Sequence, residues 1–204
     1  MLPYILSLVG GFLIGSFPTG YLLVKKKSNI DITVSGSGNV GAFNAGFVTG
    51  SKWVGLAVGV IDGLKGLGVV ILFHSVFQGF WPPALGLLAA VIGHNYTPWL
   101  RFKGGRGLAT ACGGMLGVGP AFIAVWCVIW AVMKWQRQTI LGSNLIATFA
   151  APVVLVLVPS TSLETLMFLP GSALDYRILV LALCVLFVVS HRDGFQELKR
   201  KHGE

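Results

Sequence analysis

The chain has 204 residues, of which 54% are hydrophobic and only 11% are charged, with a mean hydropathy of +0.80. Soluble domains carry roughly a quarter charged residues, so this composition excludes an ordinary soluble domain. The formal net charge is +8, but the cations border apolar segments, which argues against a nucleic-acid partner and indicates positive-inside anchoring in a membrane. We therefore predict an all-α integral membrane protein in which residues 1–204 form a single polytopic domain surrounded by lipid.

The apolar stretches of the chain predict its spanning helices. The first runs from Leu2 to Val24; it lacks a basic leader region and continues into Lys25, Lys26 and Lys27, which favours a spanning helix over a cleavable signal peptide. Further apolar stretches cover residues 53–77, 81–100, 108–133, 140–158 and 174–190.

The fourth apolar stretch can be interpreted as one helix or two. Gly117, Gly119 and Pro120 form a strong turn signal within it, and a break there gives seven spans with the N-terminus outside and the C-terminus in the cytoplasm. Of the 15 Lys and Arg residues, all except Arg177 and Lys65 then fall on the cytoplasmic side. Because charge bias sets orientation, we predict seven spans. The cytoplasmic group comprises Lys25, Lys26, Lys27, Lys52, Arg101, Lys103, Arg106, Lys134, Arg137, Arg192, Lys199, Arg200 and Lys201.

A Gly-rich cytoplasmic loop follows the first span. Glycines at near-alternating positions free the backbone to turn its N–H groups toward one point, and serine and asparagine side chains add donors, which is typical of a phosphate or oxyanion site. A simple flexible loop is the alternative. The candidate binding residues are Ser35, Gly36, Ser37, Gly38, Asn39, Gly41 and Asn44.

A second Gly-rich segment lies between two spans, after His94. Lys103 and Arg106 bring positive charge for a phosphate, and Gly104 and Gly105 allow the backbone to approach a ligand closely. The alternative is plain positive-inside anchoring, which requires no glycines. The segment lacks the GxxxxGK[ST] pattern, which excludes a Walker A loop.

Several other polar residues border or enter the spans. Asp62 and Lys65 are three residues apart and share one helix face within a span, where ionisable residues are usually functional or paired with each other. His191 and Arg192 follow the last span, where an interfacial anchor is the alternative to a site. The three cysteines lie in apolar runs without a CxxC pair, which predicts neither disulfides nor a metal site. They are Cys112, Cys127 and Cys184.

Taken in order, the motifs of this chain resemble those of the bacterial acyl-phosphate:glycerol-3-phosphate acyltransferases, the PlsY family, over essentially its whole length. The matching motifs are GSFPTGY at 15–21, GSGNVGA at 36–42, DGLKG at 62–66, GH at 93–94, FKGGRG at 102–107 and HR at 191–192.

The resemblance implies an enzyme of the bacterial inner membrane, with its active site facing the cytoplasm. Such enzymes move a fatty acyl group from acyl phosphate to the sn-1 hydroxyl of glycerol 3-phosphate, giving lysophosphatidic acid for phospholipid synthesis, and need no metal, nucleotide or other cofactor. The resemblance further implies that residues 35–41 cradle the acyl phosphate and that Lys103 neutralises substrate charge with His94 and His191 nearby. Asn44, Arg106, Ser143 and Arg192 would also contact the substrates.

At four positions this chain differs from the pattern that it resembles. Phe43 stands where the family usually has Thr, Phe47 where it has Arg, Ile140 where it has Ser, and Gly194 where it has Asn. These are polar positions expected around glycerol 3-phosphate, so two alternatives stay open beside the family reaction. One is a lipid enzyme with a different, more apolar acceptor, and the other is a non-catalytic lipid-binding or transport protein.

Overall fold

The computed structural model describes residues 1–191, which are helical with short connections; Arg192 and Gly194 lie outside the described residues. Two 3-10 turns cover Ile32–Val34 and Pro98–Leu100. The α-helices are α1 (Leu2–Gly15), α2 (Thr19–Ser28), α3 (Ala42–Thr49), α4 (Lys52–Val76), α5 (Trp81–Asn95), α6 (Leu108–Val118), α7 (Ala121–Trp135), α8 (Ile140–Leu157), α9 (Ser160–Thr165) and α10 (Ala173–Ser190). The chain divides into two compact units, residues 1–117 and residues 118–204.

The length and apolar composition of the helices are those expected of a membrane protein. Within residues 1–191, four segments are long and apolar enough to cross a bilayer: Leu2–Ser28, Lys52–Val76, Ile140–Leu157 and Ala173–Ser190. Three more apolar helices are shorter, with 15 residues in α5, 11 in α6 and 15 in α7. The all-helical membrane class is confirmed, whereas the count of seven spans and the orientation of the termini remain predictions.

Proline and glycine determine where two of the predicted spans are interrupted. The predicted turn at Gly119 and Pro120 is confirmed, because α6 ends at Val118 and α7 begins at Ala121. The first predicted span, Leu2 to Val24, lies within the candidate crossing segment Leu2–Ser28, but it is interrupted, since α1 ends at Gly15 and α2 begins at Thr19. Pro18 lacks an N–H group and disfavours a helical conformation at the preceding residue, so the chain turns before it.

In the first unit, α1 packs against α5 through small residues. A Cβ atom on Gly11 would collide with the carbonyl oxygen of Gly86, and one on Gly15 would collide with that of Ala90. Membrane helices commonly use such residues because close backbone approach replaces a hydrophobic driving force that lipid does not supply. This packing places the break after α1 beside the C-terminal end of α5, where His94 lies.

Hydrogen bonds from buried and half-buried side chains help to hold the second unit together. The indole of Trp130 donates to Asn144 at 2.7 Å, which joins α7 to α8. The hydroxyl of Tyr176 donates to the carbonyl of Gly119 at 2.7 Å and accepts from the N–H of Phe122 at 2.9 Å. Tyr176 therefore fixes the turn that starts α7 against α10.

Candidate functional site

The Gly-rich loop of residues 35–41 is organised around the side chain of Asn44. The Asn44 carboxamide donates to the carbonyls of Ser35 and Asn39 at 3.0 and 2.8 Å, and it accepts from the N–H of Ser37 at 3.0 Å. Asn44 is 3% exposed and both of its N–H donors are occupied. Its side chain therefore shapes the loop that was predicted to hold a phosphate.

Glycine is required at the centre of this loop. Gly36 and Gly38 have φ values of +60° and +70°, a region that residues with a Cβ rarely adopt. A Cβ atom on Gly36 would also collide with the Asn44 carboxamide oxygen. The loop is thereby curled, with Gly36 and Ser37 exposed. The N–H groups of Ser37, Gly38 and Val40 donate within the protein, so the N–H of Gly36 and the hydroxyl of Ser37 are the candidate donors to a ligand.

The loop is also fixed at its entry and exit. Asp31 caps the 3-10 turn before it by accepting from the hydroxyl and the N–H of Thr33 at 2.6 and 2.9 Å. These hydrogen bonds hold the pKa of the Asp31 carboxyl below its usual value. At the exit, the N–H of Gly41 donates to Asn39 Oδ1 at 2.8 Å.

Lys103 lies at the end of a tight, strained turn. Arg101 and Phe102 have φ values of +54° and +63°, and left-handed conformations at non-glycine residues cost of order 1–3 kcal/mol each. The N–H of Phe102 donates to the carbonyl of Thr97 at 2.9 Å, and that of Lys103 donates to Leu100 at 3.1 Å. Such strain concentrates at functional sites, and here it presents an exposed lysine side chain.

The two Gly-rich segments are joined through the backbone. The N–H of Val40 donates to the carbonyl of Gly104 at 3.3 Å, and the N–H of Gly105 donates to the carbonyl of His94 at 3.0 Å. A Cβ atom on Gly105 would collide with Nε2 of His94. The imidazole is therefore packed directly against the segment that follows Lys103.

A buried charged cluster lies beneath this junction. Lys65 Nζ is 2.7 Å from the Asp62 carboxylate, which confirms that the two residues share a helix face, and His94 Nδ1 is 3.7 Å from the same carboxylate oxygen. The side chains of Asp62, Lys65 and His94 are only 2%, 9% and 9% exposed. Opposite charges at this distance stabilise each other in a low-dielectric interior.

Lys65 of this cluster and two residues that follow α5 donate hydrogen bonds at the break after α1. Lys65 Nζ donates to the carbonyl of Phe17 at 2.8 Å, and Thr97 Oγ1 donates to the carbonyl of Ser16 at 2.6 Å. The indole of Trp99 donates to Ser16 Oγ at 3.1 Å. Unpaired backbone groups are expensive in a membrane, so these donors allow the break to persist within the apolar bundle.

These contacts form a small cleft in the first unit. It is narrow and opens to solvent. It gathers four segments that are far apart in the sequence: the break after α1, the end of the Gly-rich loop, the middle of α4 and the segment after α5. The cleft is lined by Ser16, Phe17, Pro18, Thr19, Gly20, Val40, Asp62, His94, Thr97, Gly104 and Gly105.

Other predicted site residues lie outside this cleft. Arg106, half-buried, follows Gly105 in the same segment. Ser143 and His191 belong to the second unit, where Ser143 is buried in the first turn of α8 and His191 follows α10. The ring Nδ1 of His191 donates to the carbonyl of Phe187 at 2.8 Å, which orients the imidazole. Arg192 is outside the described residues.

Comparison with known proteins identifies the family. A family model of glycerol-3-phosphate acyltransferases matches residues 5–201. The glycerol-3-phosphate acyltransferase of Geotalea daltonii is 35% identical over 96% of this chain and 93% of its own length. That of Geobacter sulfurreducens is 37% identical over 92% of this chain and 90% of its own length. The chain belongs to the glycerol-3-phosphate acyltransferase family.

The fold of this family member is also that of a solved relative. The crystal structure of PlsY (YgiH), an integral membrane glycerol 3-phosphate acyltransferase in its glycerol 3-phosphate form, matches with a TM-score of 0.79 and 27% identity, over 97% of this chain and 92% of that one. Its lysophosphatidic acid form matches with a TM-score of 0.78. The predicted resemblance to PlsY is confirmed, and the chain is a membrane acyltransferase.

Among the residues of the cleft that were not predicted as site residues, three have hydroxyl side chains: Ser16, Thr19 and Thr97. The hydroxyl of Thr19 is buried and, among residues 1–191, has no hydrogen-bond partner. A buried donor without a partner is costly, so Thr19 is a candidate contact for a polar ligand group. The signal that could have found it is Pro18 inside an apolar stretch, because a broken helix leaves polar backbone for neighbouring side chains to satisfy.

Proposed function

We propose that this acyltransferase moves a fatty acyl group from acyl phosphate to the sn-1 hydroxyl of glycerol 3-phosphate, forming lysophosphatidic acid. One observation carries the proposal: the Asn44-braced loop and the Lys103 turn are joined by the hydrogen bond from Val40 to Gly104. The exposed part of the loop, Gly36 and Ser37, and the exposed Lys103 thus belong to two segments that are joined through the backbone. The relatives named glycerol-3-phosphate acyltransferases support the same acceptor.

The chemistry requires little beyond placing two phosphates correctly. The acceptor hydroxyl oxygen forms a bond to the acyl carbonyl carbon, and the bond from that carbon to the phosphate oxygen breaks. The leaving phosphate takes the electron pair, and one of its oxygens accepts the hydroxyl proton. The backbone N–H of Gly36 and the hydroxyl of Ser37 would stabilise the charge that develops on this phosphate, since the N–H of Ser37 already donates to Asn44. Lys103, exposed in the segment that is joined to the loop, would neutralise charge on the second substrate.

We assign His94 and Asn44 to positioning rather than to contact with the reacting atoms. The ring of His94 faces Asp62 on one side and Gly105 on the other, so it sets the path of the segment after Lys103. Asn44 uses its carboxamide on the loop backbone. Positioning of this kind accelerates reactions because it reduces the entropy lost in bringing reactants together.

A second candidate function is transfer of the acyl group to a different, less polar acceptor. Phe43 and Phe47 are each 70% exposed on α3, immediately after the Gly-rich loop. Exposed aromatic rings at that place favour an acceptor with an apolar portion over one that is wholly polar.

We further propose a seven-span topology in the bacterial inner membrane, with the loop and Lys103 facing the cytoplasm. The support is the distribution of Lys and Arg along the chain, of which α2 provides an example with three lysines in its last turn. Cations in short loops mark the cytoplasmic side.

An acyl-transfer assay tests the reaction. Purified protein in lipid nanodiscs receives palmitoyl phosphate and labelled glycerol 3-phosphate, and lysophosphatidic acid is measured. We expect product from the native protein and at least a hundredfold less from Lys103→Ala, with Lys52→Ala as the matched control because Lys52 is another exposed lysine of the same unit. Hydrolysis of acyl phosphate without labelled product would instead favour the second candidate.

A further inference from the structure

The phenylalanines of α3 form an apolar face directly beside the phosphate loop. Phe43 and Phe47 are four residues apart, so they share one side of the helix, and both are 70% exposed. Asn44, between them in sequence, is 3% exposed and binds the loop backbone. One short helix therefore braces the loop through Asn44 and exposes aromatic surface beside it.

The ring of Phe47 reaches the centre of the loop. A Cβ atom on Gly36 would lie 3.2 Å from Cδ1 of Phe47 and 2.9 Å from Cγ1 of Val48. The aromatic surface is thus continuous with Gly36, the exposed glycine at the centre of the loop. A ligand group bound at Gly36 lies against a ring edge and not against water alone.

We propose that Phe43 and Phe47 bind the first methylenes of the acyl tail of the donor while residues 35–41 hold its phosphate. A ligand that satisfies both surfaces needs an anionic head for the Gly36 N–H and the Ser37 hydroxyl and an apolar chain attached to it, and an acyl phosphate has both. An inorganic phosphate would use the loop alone and leave the rings exposed. The inference rests on the proposed function for the identity of the phosphate head.

The placement of α3 favours a substrate tail over insertion into the bilayer core. Lys25, Lys26 and Lys27 end α2, and Lys52 begins α4, so cations precede and follow α3 in the chain. Cations mark the polar boundary of a membrane, where an acyl phosphate dissolved in the leaflet presents its head and its first methylenes.

Binding measurements without turnover test this inference. The full chain in nanodiscs is titrated with inorganic phosphate, butyl phosphate and octyl phosphate, and binding to empty nanodiscs is subtracted. Each methylene in contact with apolar surface improves affinity by up to about fourfold. We expect native protein to bind octyl phosphate at least about tenfold more tightly than butyl phosphate, a conservative figure for partly covered rings.

Variants of the two phenylalanines distinguish binding of the acyl tail from binding of the phosphate head. In Phe43→Ala/Phe47→Ala we expect the octyl-to-butyl ratio to fall to about threefold or less, while inorganic phosphate binds within about twofold of native. Phe43→Leu/Phe47→Leu should keep most of the ratio because it retains apolar surface. Phe149→Ala, an exposed phenylalanine of α8, should leave the ratio unchanged.

Two results would overturn the inference. An unchanged ratio in the double alanine variant would mean that the tail binds elsewhere and that the rings serve only as contacts to bilayer lipid. Equal losses for phosphate and octyl phosphate would mean that the rings only shape the loop. Failure of the proposed reaction is distinguishable, because a protein with the expected ratio that forms no lysophosphatidic acid refutes the acceptor and not the tail site.

Discussion

Replacing Lys65 by Met tests whether the buried charged cluster holds the site together. Lys65 Nζ contacts the Asp62 carboxylate at 2.7 Å and donates to the Phe17 carbonyl at 2.8 Å. Methionine has a similar length and no charge, so the substitution removes both interactions with little change in packing volume. The carboxylate of Asp62, 2% exposed, then keeps only the His94 ring nearby.

The expected loss follows from these contacts. Removing one partner of a buried ion pair costs about 3–5 kcal/mol because the other charge is left buried and unpaired. The side chain of Lys65 is 9% exposed, so some water reaches it and the lower limit, about 3 kcal/mol, applies. Asp62→Asn should cost about 1–2 kcal/mol, since Lys65 keeps its bond to Phe17.

A double-mutant cycle separates the pair from its surroundings. Unfolding free energies are measured by denaturant titration in mixed micelles for both single variants and for Asp62→Asn/Lys65→Met. We expect the double variant to lose about 2–3 kcal/mol, less than the sum of the single losses, because no charge remains stranded. Strict additivity would show that the two side chains do not interact in the folded protein and would refute the cluster.

Three further predictions concern single side chains. Gly105→Ala should reduce the acyl-transfer rate at least tenfold, because its Cβ would collide with the His94 ring, whereas Gly68→Ala, with open space around it, should retain full activity. Asn44→Ala removes three hydrogen bonds from the loop; it should raise the KM for acyl phosphate at least tenfold, and an unchanged KM would exclude a role for the loop. Tyr176→Phe should lower the free energy of unfolding by about 1–2 kcal/mol, measured by the same titration, without changing the KM.

Features that depend on residues close together in the chain were predictable from the sequence. Gly117, Gly119 and Pro120 predicted the break between α6 and α7, because two glycines and a proline so close together are a strong local turn signal. The spacing of Asp62 and Lys65 predicted their pairing, because helical geometry alone brings residues three apart together. Both predictions are confirmed.

Features that depend on residues far apart in the chain were not predictable from the sequence. Pro18 was visible in the first apolar stretch, but a proline can either kink a membrane helix or end it. Whether the helix ends here depends on hydrogen-bond donors from distant parts of the chain, Lys65 and Thr97, that satisfy the carbonyls at the break. Similarly, Asn44 was predicted to bind phosphate, and only the three-dimensional course of the loop reveals that its carboxamide is occupied by backbone groups.

The shortness of α6 has a consequence for the membrane in which this protein works. Its 11 residues extend about 17 Å, whereas the hydrocarbon layer is about 30 Å thick. As a crossing segment, which the charge distribution predicts, α6 requires the bilayer to become thinner around it, at a cost of a fraction of a kcal/mol per Å of mismatch. Longer or more ordered lipid chains increase that cost. Through hydrophobic mismatch, the protein would then be sensitive to the thickness of the bilayer around it.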